Sequence, residues 1–196
     1  MIYLTSDLHF GHKWAIGSHD RPFASVEEMN ETLLRNYNSI VRDEDIVYIL
    51  GDLCRHLRLE LANEIISKMK GKKYLLLGNN DKGYDPKLFV EIRDFKRFTY
   101  HGVRFVLMHY PLLDWPEKEK GSIHLHGHIH AGVDYNLKNL KNGIRRFDVG
   151  VDANNYFPVS LDAIIDFFGV KVRDDEYLQA EKLKYKKTGI SFPDPV

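Results

Sequence analysis

Short apolar runs alternate along this chain with longer amphipathic stretches. Met1–Thr5 and Asp45–Leu50 are compact and rich in Ile, Val, Tyr and Leu, the composition of buried strands. Between them, Ser25-Val26-Glu27-Glu28 has the form of a capping box: Ser25 can receive the third helical N–H while Glu28 reaches back. Met29, Leu33, Tyr37 and Ile40 follow at helical spacing and predict a helix over Val26–Val41. Leu57–Lys70 repeats the pattern, with Leu61, Ile65 and Met69 on one face. Gly71 ends it, and Lys73–Leu77 is the next strand. Through residue 77 the order is β-α-β-α-β, which calls for a parallel sheet with crossover helices.

The second half reads differently. Phe95–Tyr100 and Val103–Met108 flank His101-Gly102, a tight hairpin turn, and Ser122–His126 and Arg146–Val151 are further strands. Ser160 caps a short helix, Leu161–Phe168. The expectation is an α/β chain in which two sheets pack together with helices outside. A length of 196 residues suits one domain, assigned to 1–170, with 171–196 as a charged peripheral tail ending in Phe192-Pro193-Asp194-Pro195.

Composition narrows the function classes. Eleven Tyr and eleven Phe supply a sizeable core, which argues against intrinsic disorder. Lys and Arg number 28 against 28 Asp and Glu, so no excess of positive charge is available to displace counterions from a nucleic acid. The Lys182–Lys187 stretch is the best local patch, and its plain reading is a solvated face. The single cysteine, Cys54, cannot form an internal disulfide, which suits a reducing compartment. No apolar run approaches the roughly eighteen residues of a membrane span, and Asp7 and His9 come too early for a signal peptide. The expectation is a cytoplasmic protein without a membrane partner.

Placement of polar residues carries the chemistry. Asp7 and His9 follow the first strand, two apart, and would share one side of an extended chain. Gly51-Asp52 follows the second strand and Gly78-Asn79-Asn80-Asp81 the third. His109 follows the Val103–Met108 run, and His126-Gly127-His128-Ile129-His130 closes the next. Singly, each has an ordinary explanation: a strand-ending Asp is usually a turn residue, and a lone His109 is usually a hydrogen-bonded core histidine. Five such clusters at strand ends together point to a metal site.

Imidazole and carboxylate donors without thiolate select divalent transition metals: manganese first, then iron, zinc, cobalt or nickel. Seven candidates (Asp7, His9, Asp52, Asn79, His109, His128 and His130) exceed what one tetrahedral ion needs and fit two ions sharing a carboxylate. Two divalent ions bring four positive charges, and Asp7 and Asp52 return two. The surplus suits a bridging hydroxide and an anionic substrate, and an ion pair about 3.5–4 Å apart is the usual clamp for phosphoryl hydrolysis.

These ordered motifs, Asp7-Leu8-His9, Gly51-Asp52, Gly78-Asn79-Asn80-Asp81, His109 and Gly127-His128-Ile129-His130, resemble those of the calcineurin-like metallophosphoesterases. Asp7-Leu8-His9-Phe10-Gly11-His12 and Gly150-Val151-Asp152-Ala153-Asn154-Asn155-Tyr156 further resemble a branch of small bacterial and phage members. The resemblance implies an α-β-β-α fold, two mixed sheets packed as a sandwich between helices. It implies that Asp7, His9 and His130 hold one metal, that Asn79, His109 and His128 hold a second, and that Asp52 bridges them. A bridging hydroxide would then hydrolyse a small phosphomono- or phosphodiester.

One departure stands out. The family has histidine at the third position of its Gly-Asn-His motif, a residue assigned to the leaving oxygen, and this chain has Asn80. An amide donates a hydrogen bond but delivers no proton at neutral pH. His12 is the candidate substitute donor, with a plain surface-loop histidine an equal reading; Arg55 could reach a phosphate, but an ordinary exposed residue at a helix start is the better reading. Cys54 reads as packing. The alternative function is a metal-binding interaction scaffold that has lost hydrolysis. A nuclease is disfavoured by the zero net charge.

Overall fold

The computed structural model describes residues 1–170; the tail and its Lys182–Lys187 stretch lie outside the described residues. β1 (Ile2–Thr5) leads through α1 (Lys13–Ser18) and α2 (Val26–Ile40) to β2 (Ile46–Ile49), which pairs parallel with β1. α3 (Leu59–Ser67) crosses to β3 (Lys72–Leu76), parallel to β2, and β4 (Glu91–Arg93) extends the same edge. The expected β-α-β-α-β order is present.

After Asp94 the chain changes sheets. β5 (Phe95–Tyr100) and β6 (Val103–Met108) form the antiparallel hairpin, turning at His101 (φ 48°) and Gly102 (φ 76°). β7 (Ile123–His126) and β8 (Arg146–Asp148) follow in parallel, joined by α4 (Tyr135–Lys141). β9 (Val159–Ser160) returns antiparallel to β1, and α5 (Leu161–Phe167) closes the described chain. The result is a five-stranded sheet ordered β4-β3-β2-β1-β9 facing a four-stranded sheet ordered β5-β6-β7-β8, both mixed and flanked by helices.

Alternation within the buried strands divides the core in two. Val47 and Ile49 of β2 pack with Met29, Leu33 and Tyr37 of α2 and with Ile66 of α3. Tyr48 and Leu50 point the other way, against Phe105, Leu107, Ile123 and Leu125 of the second sheet and Ile164 of α5. A strand covered on both faces must be apolar throughout, which is why β2 reads as a continuous run.

Local signals held in part. Ser25 accepts the Glu28 N–H at 3.1 Å, while the Glu28 carboxylate reaches back to the Ala24 N–H at 2.7 Å, one residue beyond the helix cap. α3 is shorter than Leu57–Lys70 and rotated from the expected face: Ala62, Ile66 and Met69 are buried, whereas Leu61 is 42% exposed. The second half also contains a helix, α4, that apolar spacing does not indicate. Its buried positions are Asn136 and Asn139, which hydrogen-bond the backbone of Asp148 and Arg146 instead of packing apolar side chains.

Candidate metal centre

The C-terminal ends of five strands meet at one edge of the sandwich. Asp7 and His9 leave β1, Asp52 leaves β2, Asn79 and Asn80 leave β3, His109 leaves β6, and His128 and His130 leave β7. The backbone there is not extended, contrary to the expectation for Asp7 and His9. Asp7 (φ 58°), His9 (φ 52°), Asp52 (φ 54°), His128 (φ 74°) and His130 (φ 47°) all lie in the left-handed region. Non-glycine residues rarely adopt that region, and doing so costs of order 1–3 kcal/mol each. Five such residues in one cluster mark a place where donor position overrides backbone preference.

The donors converge in two groups. One ligand atom from each of Asp7, His9 and His130 lies within 4.8 Å of the others, and the same holds for Asp7, Asp52 and His109. Nε2 of His9 is 3.2 Å from Nε2 of His130, and Nε2 of His109 is 3.1 Å from Asn79 Oδ1 and 3.2 Å from Nδ1 of His128. Asp7 is common to both groups, and Asp52 faces a histidine of each, with Oδ2 3.5 Å from His9 Nε2 and Oδ1 3.8 Å from His109 Nε2.

Backbone and carboxylate partners orient the imidazoles. Nδ1 of His109 donates to the Leu50 carbonyl at 2.7 Å and Nδ1 of His130 to Asp152 Oδ2 at 2.8 Å, so Nε2 of each faces the site with its lone pair. Such lone pairs aimed at other acceptors repel unless a cation sits among them. Asp7 is fully buried and its Oδ1 has no hydrogen-bond partner, while Oδ2 accepts the His128 N–H at 2.8 Å. Burial, then the Asp148 carboxylate, push the Asp7 carboxyl well above its ordinary range. Burial, then His130, drive the His9 imidazole far below its own. An orphaned carboxylate oxygen grouped with imidazole nitrogens fits divalent cations of the kind the donor types select.

Close backbone approach makes this packing possible. A side chain on Gly127 would run into Ser6 Oγ and Asp7 Oδ2. The remaining histidines of the His124–His130 string turn inward: Nδ1 of His124 donates to Val106 O and Nδ1 of His126 to Gly127 O, both within the core.

Asn80 closes on Asp52 twice, through its backbone N–H to Oδ1 at 2.9 Å and its side-chain amide to Oδ2 at 2.5 Å. His12, buried at the N-terminal cap of α1, has its ring centroid 5.2 Å from those of both His9 and His56. Burial, then the Arg55 charge, lower it to about 4. Cys54 is buried and its thiol is pushed up to about 12, which suits packing.

Three residues at the site have no counterpart in the sequence reading. Asp152 receives His130 and is itself gripped by Arg21. His19 lies flat on His130, centroids 3.5 Å apart and planes 7° from parallel. Asp152 belonged to the quoted Gly150–Tyr156 segment but had no role. Arg21 and His19, on an irregular stretch before α2, carried no signal.

A two-sheet α/β sandwich that gathers oxygen and imidazole donors at its strand ends is the architecture of a candidate metal centre. The chain belongs to the calcineurin-like phosphoesterase family, whose profile matches residues 1–157. It is 41% identical to the uncharacterized protein MJ1445 of Methanocaldococcus jannaschii over 84% of this chain and 89% of that one. It is 26% identical to the Gene 66 protein of Mycobacterium phage D29, over 78% of this chain and 88% of that one. The crystal structure of a protein of unknown function, AQ665 from Aquifex aeolicus, is similar with a TM-score of 0.66 and 28% identity, covering 85% of this chain and 98% of that one. Family and donor set together support a metallophosphoesterase. Among the described residues no helix is long and apolar enough to cross a membrane.

Proposed function

We propose that the chain is a dinuclear metal-dependent phosphoesterase acting on a small phosphomono- or phosphodiester. Asp7, His9 and His130 hold one ion, Asn79, His109 and His128 hold the other, and Asp52 serves both; manganese is the first candidate. The observation that carries this reading is the position of Asp52, one oxygen turned to His9 and the other to His109. When bound, two such ions supply Lewis-acid charge to phosphoryl oxygens and lower the pKa of a water to near neutrality.

The chain's own residues do the rest. Asp152 and the Leu50 carbonyl fix the tautomers of His130 and His109, keeping their donor nitrogens turned inward before any ion arrives. Asn80 holds Asp52 by two hydrogen bonds and offers the site an amide N–H, not a proton. His12, with its lowered pKa, is neutral at pH 7 and can donate only a hydrogen bond. Donors of that kind favour substrates whose leaving oxygen needs little protonation.

Hydrolysis of mono-, di- and cyclic phosphoesters with added Mn²⁺, before and after chelation, tests the reading. Turnover that disappears with chelator and returns with metal supports it. Two bound ions with no turnover on any ester would favour the scaffold instead, and Asn80 is the residue that gives that alternative its footing.

A further inference from the structure

Beside the metal centre a recess of about 110 Å³ opens between the segment after β2 and the segment after β3. Its lining includes Arg55, His56, Asn80, Lys82 and Tyr84, and no carboxylate. Among the described residues neither Arg55 nor Lys82 pairs with an acid, in a chain whose positive and negative side chains are equal in number. Asp81, in the same segment, is buried and engaged by the backbone N–H groups of Asp52, Leu53 and Gly78 and by the Tyr84 hydroxyl, and it does not line the recess.

Two links tie this recess to the metal centre. Asn80 is a wall of the recess and also the residue that grips Asp52. The rings of His9, His12 and His56 step outward at 5.2 Å intervals from a metal-site donor to the recess lining. His56 is held in the left-handed region (φ 60°), a conformation that places a histidine in the wall at some backbone cost.

We propose that this recess binds a phosphoryl group of the substrate other than the one attacked, so that the preferred ester carries two phosphates separated by a short spacer. The inference rests on the phosphoesterase reading and adds the substrate class to it. The Arg55 and Lys82 charges with the Asn80 amide and the His56 imidazole suit a dianion, and the small volume admits a phosphate head without a nucleobase. Losing one charge-assisted contact should weaken binding about ten- to hundred-fold.

Inorganic phosphate titrated into the whole, metal-stripped chain provides a readout independent of turnover. Amide NMR shifts should concentrate at residues 55, 56 and 82, and the apparent Kd should rise about tenfold in Arg55→Ala and in Lys82→Ala. Lys82 is exposed, so Lys82→Glu is a second variant that retains the fold and should abolish the shifts. Shifts absent from these residues, or equal in all variants, overturn the site; a diffuse, weak response unaffected by the variants would mean an adventitious ion only.

The second arm compares aryl bisphosphates of increasing spacing between the phosphates, whose phenolate leaving group needs no proton, with aryl monophosphates on Mn²⁺-loaded enzyme. The bisphosphates should be favoured about ten- to hundred-fold in kcat/KM through KM, with the ratio falling toward one in the variants. Monophosphates hydrolysed as well as every bisphosphate would refute the second-phosphate subsite while leaving the phosphoesterase standing. Phosphate shifts at the recess with no ester hydrolysed would refute the phosphoesterase and leave an anion site.

Discussion

Arg21 grips Asp152 with a parallel pair of hydrogen bonds, Nε to Oδ1 and Nη2 to Oδ2, each 2.8 Å. The same guanidinium donates to the carbonyls of Asp7 at 2.7 Å and Leu8 at 3.1 Å, so one buried arginine ties the β1 loop to the carboxylate that orients His130. Burial alone would raise the Asp152 pKa; the hydrogen bonds from His130 and Arg21 outweigh it and hold the group at about 2.

Asp152→Asn should therefore separate orientation from ligation. The amide keeps much of the shape but weakens the charge that fixes His130, and metal affinity should fall about 10–100-fold. Arg21 would then be left buried without its counter-charge, at a cost of about 3–5 kcal/mol. Calorimetric metal titration and a denaturant melt check both. Unchanged metal affinity in a folded variant would remove Asp152 from the site.

A different substitution examines proton delivery. Asn80→His should raise hydrolysis of alkyl phosphoesters by something like 10²–10⁴, the usual effect of a general acid. Nitrophenyl esters, whose leaving group needs no proton, should gain much less. Asn80 is not a proposed ligand but its amide holds Asp52, so the gain is compared at equal metal content, measured on each variant. Equal gains on both ester types would mean that the new imidazole acts by some route other than protonation.

Stability should also respond to pH through His124. This buried histidine donates through Nδ1 to Val106 O, while Nε2 accepts the Leu112 N–H at 3.0 Å and lies 3.2 Å from the Tyr110 carbonyl, a weaker pull toward the charged ring than burial exerts against it. Burial lowers its pKa from 6.5 to about 4. The unfolded chain binds the proton first, so the contribution is whole above pH 6.5 and is lost as pH falls from 6.5 toward 4. The loss amounts to roughly 3 kcal/mol at most. Other buried histidines titrate in the same window, so the useful quantity is the difference between the native chain and His124→Gln in urea melts across that range. A difference independent of pH would contradict the assignment.

The α4 helix should depend on its buried amides. Asn136 both donates to Asp148 O and accepts the Asp148 N–H; Asp148 O keeps the Asn154 amide at 2.9 Å, so Asn136→Leu leaves one buried backbone group, the Asp148 N–H, without a partner. The expected loss is about 1–3 kcal/mol, read from chemical denaturation. An unaffected variant would mean that apolar contact, not hydrogen bonding, docks the helix.

Much of this was legible in the chain because two-sided burial writes continuous apolar runs. β1, β2 and β6 lie where those runs fall, β5 is the alternately exposed partner across the His101-Gly102 turn, and α2 lies where Met29, Leu33 and Tyr37 fall. α4 was invisible for the opposite reason, since its inward face is asparagine. α3 was mis-phased because Leu61, as apolar as Ile66, faces outward. The candidate donors stood out as polar residues at strand ends, but their left-handed backbone did not, since Asp7 and His9 carry no glycine to announce it. The Arg21–Asp152 pair spans 131 positions and leaves no local pattern.

The dinuclear assignment is tested most directly by counting ions. Mn²⁺-loaded protein, freed of excess metal and analysed by inductively coupled plasma spectrometry, should contain two ions per chain. Asp52→Asn, which removes the charge facing both His9 and His109, should show a marked drop in that content. One ion per chain in the native protein, or two retained in Asp52→Asn, would contradict the shared-carboxylate centre.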